Sequence, residues 1–181
     1  MTKIPTHFLV AVVGKRAFLK IPERANCMSS VELNRIVTAL RSRGNTIFVL
    51  DLSGCLTMDS TFLGVLTGFV LPLEGDMRSP QLDVRLLNAN RRIVELLESL
   101  CVEHLFTFEL ESEPCTRVFE PLLDHPLEPS KRELSSISLK AHLHLMELDP
   151  ANIPKFKDVA KFLSEDLIQV KQPEPSTKID I

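Results

Sequence analysis

The stretch "TMDSTFLGVL", residues 57–66, sets one carboxylate and two hydroxyls directly before a strongly apolar segment. Asp59, Ser60 and Thr61 carry the polar groups, and Phe62, Leu63, Gly64, Val65 and Leu66 follow. Asp and Ser are both preferred helix N-caps, because a side-chain oxygen accepts one of the N–H groups that a first turn leaves unpaired. A hydroxyl in that place has a second chemistry open to it. It lies near the surface even when the helix beyond is buried. A phosphoryl group on it adds about −1.5 to −2 of charge where free helix N–H groups tolerate an anion. Capping and phosphate acceptance can coexist at Ser60, and Thr61 is the weaker acceptor. Asp51 and Ser53 end the preceding apolar run and fit a role in shaping the loop through its amides.

Other chemistry finds less support. The chain has no G-x-S-x-G elbow, and no His stands near Ser60 in sequence to act as its base. It has no G-x-x-x-x-G-K-[ST] phosphate loop. "HLHLME" offers His142, His144 and Glu147 as metal ligands, but helical residues two apart do not face each other. These histidines read as ordinary surface residues, and neither a metal nor a cofactor is expected. Cys27, Cys55, Cys101 and Cys115 form no C-x-x-C pair. Free cysteines in apolar segments act as small hydrophobes and suit a reduced compartment. A non-enzymatic role follows.

Composition narrows the class further. The 181 residues, 44% of them hydrophobic, suit one domain plus a modest extension. Ten Phe with neither Trp nor Tyr, a net charge of -3 and a pI near 6.0 argue against a nucleic-acid partner. "MTKIPTHFLV" has no long apolar run before a cleavage site, and the apolar run from Phe62 to Leu73 is too short for a bilayer. A cytoplasmic protein without membrane insertion is expected.

The elements that must hold the polar cluster are legible from periodicity. "HFLVAVV" and "AFLKI" read as two strands joined at Gly14-Lys15, the first apolar on both faces and so expected to be covered on both. "CMSSVELNRIVTALRSRG" reads as a helix, with Ser29 and Glu32 as an S-x-x-E capping box and Gly44 as the stop. "NTIFVLDLS" is a central buried strand. The segment after Ser60 is a buried helix, whose Gly64 and Gly68 predict close approach to a neighbouring element. "LDVRLLN" is a half-buried strand, "NRRIVELLESLCVEHL" an amphipathic helix with Cys101 on its apolar side, and "FTFEL" a short edge strand. Four prolines among charges mark a linker over 111–134. Residues 135–170 read as a helical hairpin and 171–181 as a disordered tail. The order β-β-α-β-α-β-α-β, then two helices, predicts an α/β fold: a mixed sheet with helices mainly on one face, plus the C-terminal hairpin.

At this point the chain resembles a known family. "IFVLDLSGCLTMDSTFLGVL" looks like the centre of a STAS domain, the anti-sigma factor antagonist fold, whose pattern runs to Asp-Ser-[Ser/Thr]-Gly-Leu-Gly at a helix start. Here it stands as Asp59-Ser60-Thr61-Phe62-Leu63-Gly64, and the resemblance covers residues 1–110. It implies that Ser60 is phosphorylated by a partner serine kinase, often itself an anti-sigma factor, that only the unphosphorylated form binds that partner, and that a phosphatase resets the switch. Asp59 and residues 61–64 would form the docking loop. Phe62 departs from the family glycine, and its bulk beside Ser60 bears on how a partner docks. Two other readings remain open: a scaffold or dimerisation module without phosphoregulation, and a transporter-associated sensor of nucleotides or lipids. In the scaffold reading the hairpin would cover the sheet's open face or pair with a second copy.

Overall fold

The computed structural model describes residues 7–71, 81–110, 118–121 and 128–169. The expected tail and much of the expected linker lie outside these residues. The described elements are β1 (Leu9–Val13), β2 (Arg16–Lys20), β3 (Arg24–Ala25), α1 (Cys27–Ser42), β4 (Ile47–Asp51), β5 (Thr57–Met58) and α2 (Ser60–Val70). They continue with β6 (Asp83–Leu87), α3 (Arg91–Ser99), β7 (Thr107–Glu109), α4 (Lys131–Leu148) and α5 (Ile153–Gln169).

The protein has the expected α/β architecture. Five strands form one mixed sheet in the order β1-β2-β4-β6-β7, with β1 antiparallel to β2 and every other pair parallel. Gly14, at φ +60, makes the turn between the first two strands, a conformation that only glycine adopts freely. One sheet face, through Val10, Ala17, Leu19, Phe48, Leu50, Val84 and Leu86, packs into the main core with α1, α2, α3 and α4. The other face carries a small cluster of Ala11, Phe18, Val49 and Leu87, with Phe119 packed against it. Lys20 lies 4.5 Å above the Phe119 ring.

Four expectations are corrected. β1 is covered on both faces only over its first half: Val10 and Ala11 are buried on opposite faces, while Val12 and Val13 beyond them are exposed. The cap of α1 is Asn26: it accepts from Met28 N and Ser29 N, and Ser29 Oγ accepts from Asn26 N, so Ser29 is the third helical residue. Asn ranks beside Ser as a cap, and the earlier one wins because Ser29 closes the box behind it. α3 stops at Ser99; Cys101, with φ +56, is exposed beyond it. α4 begins at Lys131 on the Ser130 cap, so the last residues assigned to the linker are helical.

Candidate functional site

Two short strands bring the site together. β3 pairs in parallel with β5, Arg24 with Thr57 and Ala25 with Met58. Each strand leads directly into a helix, so the starts of α1 and α2 lie side by side. Asp59 joins them. Its Oδ1 accepts from Phe62 N at 2.8 Å, and its Oδ2 accepts from Cys27 N at 2.9 Å. One carboxylate thus caps α2 and takes the first N–H of α1, whose own cap is Asn26, and its charge meets the positive ends of both dipoles. In the loop before it, Asp51 Oδ1 accepts from Ser53 N at 3.0 Å, an Asx turn, and Ser53 is exposed.

Ser60 is the first residue of α2 and is half-buried. Its hydroxyl lies 3.1 Å from Nε2 of His142, which comes from α4. His142 is 5% exposed and packs 4.9 Å, ring centre to ring centre, from Phe156 of α5. Burial pushes its imidazole below the usual histidine value, against smaller opposing pulls from the Ser138 carbonyl and the Asp59 carboxylate. His142 Nδ1 completes no hydrogen bond among the described residues. One turn earlier, Ser138 Oγ lies 3.2 Å from Cys27 Sγ. Arg35 of α1 holds Glu133 through both carboxylate oxygens, at 2.7 and 2.8 Å.

The remaining residues of the motif face inward. Thr61, Phe62, Leu63 and Gly64 are all buried, so none is offered to a partner while α4 lies across α2. Phe62, fully buried, stacks on Phe8 at 6.4 Å. Its bulk therefore enters the core and leaves the surface beside Ser60 unchanged. Gly64 and Gly68 make the close approach that their presence predicted. A Cβ on Gly64 would stand 2.4 Å from the Ala141 carbonyl oxygen, and one on Gly68 2.6 Å from His144 Nδ1. The hairpin therefore packs on α2, in the helical layer, and does not cover the open face of the sheet.

The histidines are the residues that sequence reasoning missed. Read as surface groups, His142 is buried and His144 half-buried, with a buried Nδ1 that has no partner among the described residues. A signal was present: Ser135, Ser138, His142 and Leu145 follow 3-4-3 spacing, which places His142 on the inward stripe of an amphipathic helix. The partner of that stripe, 82 positions away in sequence, had no signal. Ser60 thus has a histidine beside it, but among the described residues no carboxylate orients Nδ1 as the third member of a nucleophilic triad would, and both Asp59 oxygens are committed to backbone N–H groups. Among the described residues no three His, Cys, Asp or Glu side chains gather to hold a metal ion, and no helix is long and apolar enough to cross a membrane. A scan of family models finds no match to the chain, and no curated protein matches it.

Proposed function

We propose that this chain is a non-enzymatic regulatory module of the anti-sigma-antagonist type, which binds a protein partner and is switched by phosphorylation of Ser60. The observation that carries the reading is the position of Ser60. It opens α2 beside a carboxylate already committed to capping, and it is half-buried where residues 61–64 of the motif are turned into the core. A mixed sheet with a helical layer on one face is compatible with the STAS resemblance of the motif. A partner serine kinase would transfer the γ-phosphoryl of ATP to Ser60 Oγ. The Oγ–P bond forms, the bond to the β-phosphate oxygen breaks, ADP leaves, and the hydroxyl proton passes to the kinase's base. The new charge beside Asp59 would repel an acidic partner surface, and a phosphatase would restore the hydroxyl. A reduced cytoplasm is the compartment this reading requires.

The test is direct. The full chain is incubated with ATP and lysate of its source cells, and phosphate is mapped by peptide mass spectrometry. Phosphate on Ser60 supports the reading. Its absence in a lysate that phosphorylates other proteins refutes it.

A second reading, a scaffold that pairs with its own copy, draws on the exposed Val159 and Phe162 of α5 and on the exposed Val12 and Val13 of the edge strand β1. Light scattering across a concentration series tests it, and a monomer throughout would count against it.

A further inference from the structure

The buried stripe of α4 is unusually polar for a helix against a core. It consists of Ser135, Ser138, Ala141, His142 and Leu145, where α1 buries Val31, Leu33, Ile36, Val37 and Leu40 beside a single serine. Apolar area drives packing, so the first three turns of α4 gain little from burial compared with α1. Beside the close fit of Ala141 on Gly64 and the packing of Ile137 against the core, what holds them is a series of polar contacts to α1 and α2: Arg35 with Glu133, Cys27 with Ser138, and Ser60 with His142. The far end of the hairpin is anchored differently. Leu145 is fully buried, and Asn152, also fully buried, donates from Nδ2 to the carbonyls of Leu100 and Leu145. Lys155 Nζ donates to the Ser99 carbonyl at 2.7 Å.

From this asymmetry we infer that the first three turns of α4 are a latch over the N-termini of α1 and α2, that the Ser60–His142 hydrogen bond fastens it, and that phosphorylation of Ser60 opens it while the Leu145–Asn152 end stays anchored. The inference rests on the proposed function for the phosphate and for what opening serves, which is to bare Ser60, Thr61 and Gly64. Its physical basis is independent of any partner. A phosphoryl group does not fit in the 3.1 Å between Oγ and Nε2, so the serine side chain must turn outward. His142 is then left buried with neither nitrogen bonded among the described residues, and a buried polar group without its partner is costly. Removing the hydroxyl has the same consequence without added charge.

Hydrogen exchange on the full chain, with no kinase or partner present, reads the latch. Ser60→Ala, and the protein carrying phosphoserine at position 60 by genetic encoding, are expected to exchange about 5- to 150-fold faster over residues 134–142, with the β4 and β6 amides unchanged. Ser60→Ala combined with His142→Leu is expected to recover protection, because no buried polar group is then left unpaired. Exchange within twofold of the native chain in both single forms overturns the latch. So does greater protection with phosphoserine, which would mean that His142 holds the phosphate in place, or a rise spread equally over the sheet. The two failures are distinguishable. No phosphate on Ser60 in lysate, with exchange as expected, removes the kinase reading alone; phosphate on Ser60 with unchanged exchange removes the latch alone.

Discussion

Gly64→Ala tests how tightly α2 and α4 are joined. An added Cβ would lie 2.4 Å from the Ala141 carbonyl oxygen, 2.7 Å from its carbon and 2.7 Å from its Cβ. Non-bonded carbon contacts settle at about 3.5–4.0 Å, so the helices must separate by roughly 1 Å. Overpacking of this kind costs about 1–3 kcal/mol. Because the nearest atoms are backbone, no rotamer change relieves it, and the upper part of that range applies. Alanine returns about 1 kcal/mol in helix propensity over glycine. The net loss is therefore about 1–2 kcal/mol, a fall in Tm of about 2–8 °C for a domain of this size. Gly68→Ala is the internal control. Its Cβ would meet the His144 ring, at 2.6 and 2.7 Å, but that ring ends a half-buried side chain and can swing aside. Its net effect is expected within about 0.5 kcal/mol. Adding Ala141→Gly to Gly64→Ala will not rescue it, since the closest obstacle is the carbonyl oxygen. Thermal melts of the four proteins decide the matter. A Gly64→Ala chain as stable as the native one, or no more affected than Gly68→Ala, would refute the reasoning.

Three further predictions concern the same region. Asp59→Ala removes the N-cap of α2, about 0.5–2 kcal/mol, and the acceptor of Cys27 N at the start of α1, about 0.5–1.5 kcal/mol, while Asn26 still caps α1, so the loss in urea titration is about 1–3.5 kcal/mol. Asp59→Asn keeps one acceptor oxygen and is expected to lose about half of that; native stability in Asp59→Asn would show that one of the two Asp59 contacts is not contributing. Asn152→Ala strips Nδ2 from two buried carbonyls and is expected to cost about 1–3 kcal/mol, read as a lower urea midpoint; an unchanged midpoint would mean that the anchor is not there. Burial lowers both the His142 and His144 imidazoles from 6.5, so the unfolded chain binds protons more readily than the folded one. Their neutral-state contribution is complete above pH 6.5 and is lost as pH falls through the lower folded values. Urea midpoints are expected to rise with pH below 6.5, with a shallower slope in His142→Leu; an equal slope in that variant would exclude His142 as a source.

The start of α2 was legible because capping is local. Asp59 accepts from Phe62 N three residues on, and the apolar run behind it announces a buried helix. The cap of α1 was misread by one turn for an equally local reason: Asn26 and Ser29 both suit the position, and only the closed geometry of the box chooses between them. The second duty of Asp59, at Cys27 N, was not legible at all, because it depends on two-residue strands too short to carry a period. His142 falls between these cases. Its own helix marks it as inward-facing, but nothing near it names Ser60.

The sequence by itself determined the order of the longer elements, the central strand, the buried second helix and its polar start, and the need of Gly64 and Gly68 for a close neighbour. All of these are set by hydrogen bonds and apolar spacing within a few residues of each other. Only the tertiary structure decided which neighbour that is. The choice of α4 for α2 rests on the fit of Ala141 into the space above Gly64 and on the reach of His142 to Ser60, across a separation of 82 residues. Such a pairing is fixed by shape and by the satisfaction of buried polar groups, properties that belong to two surfaces together and to neither segment alone.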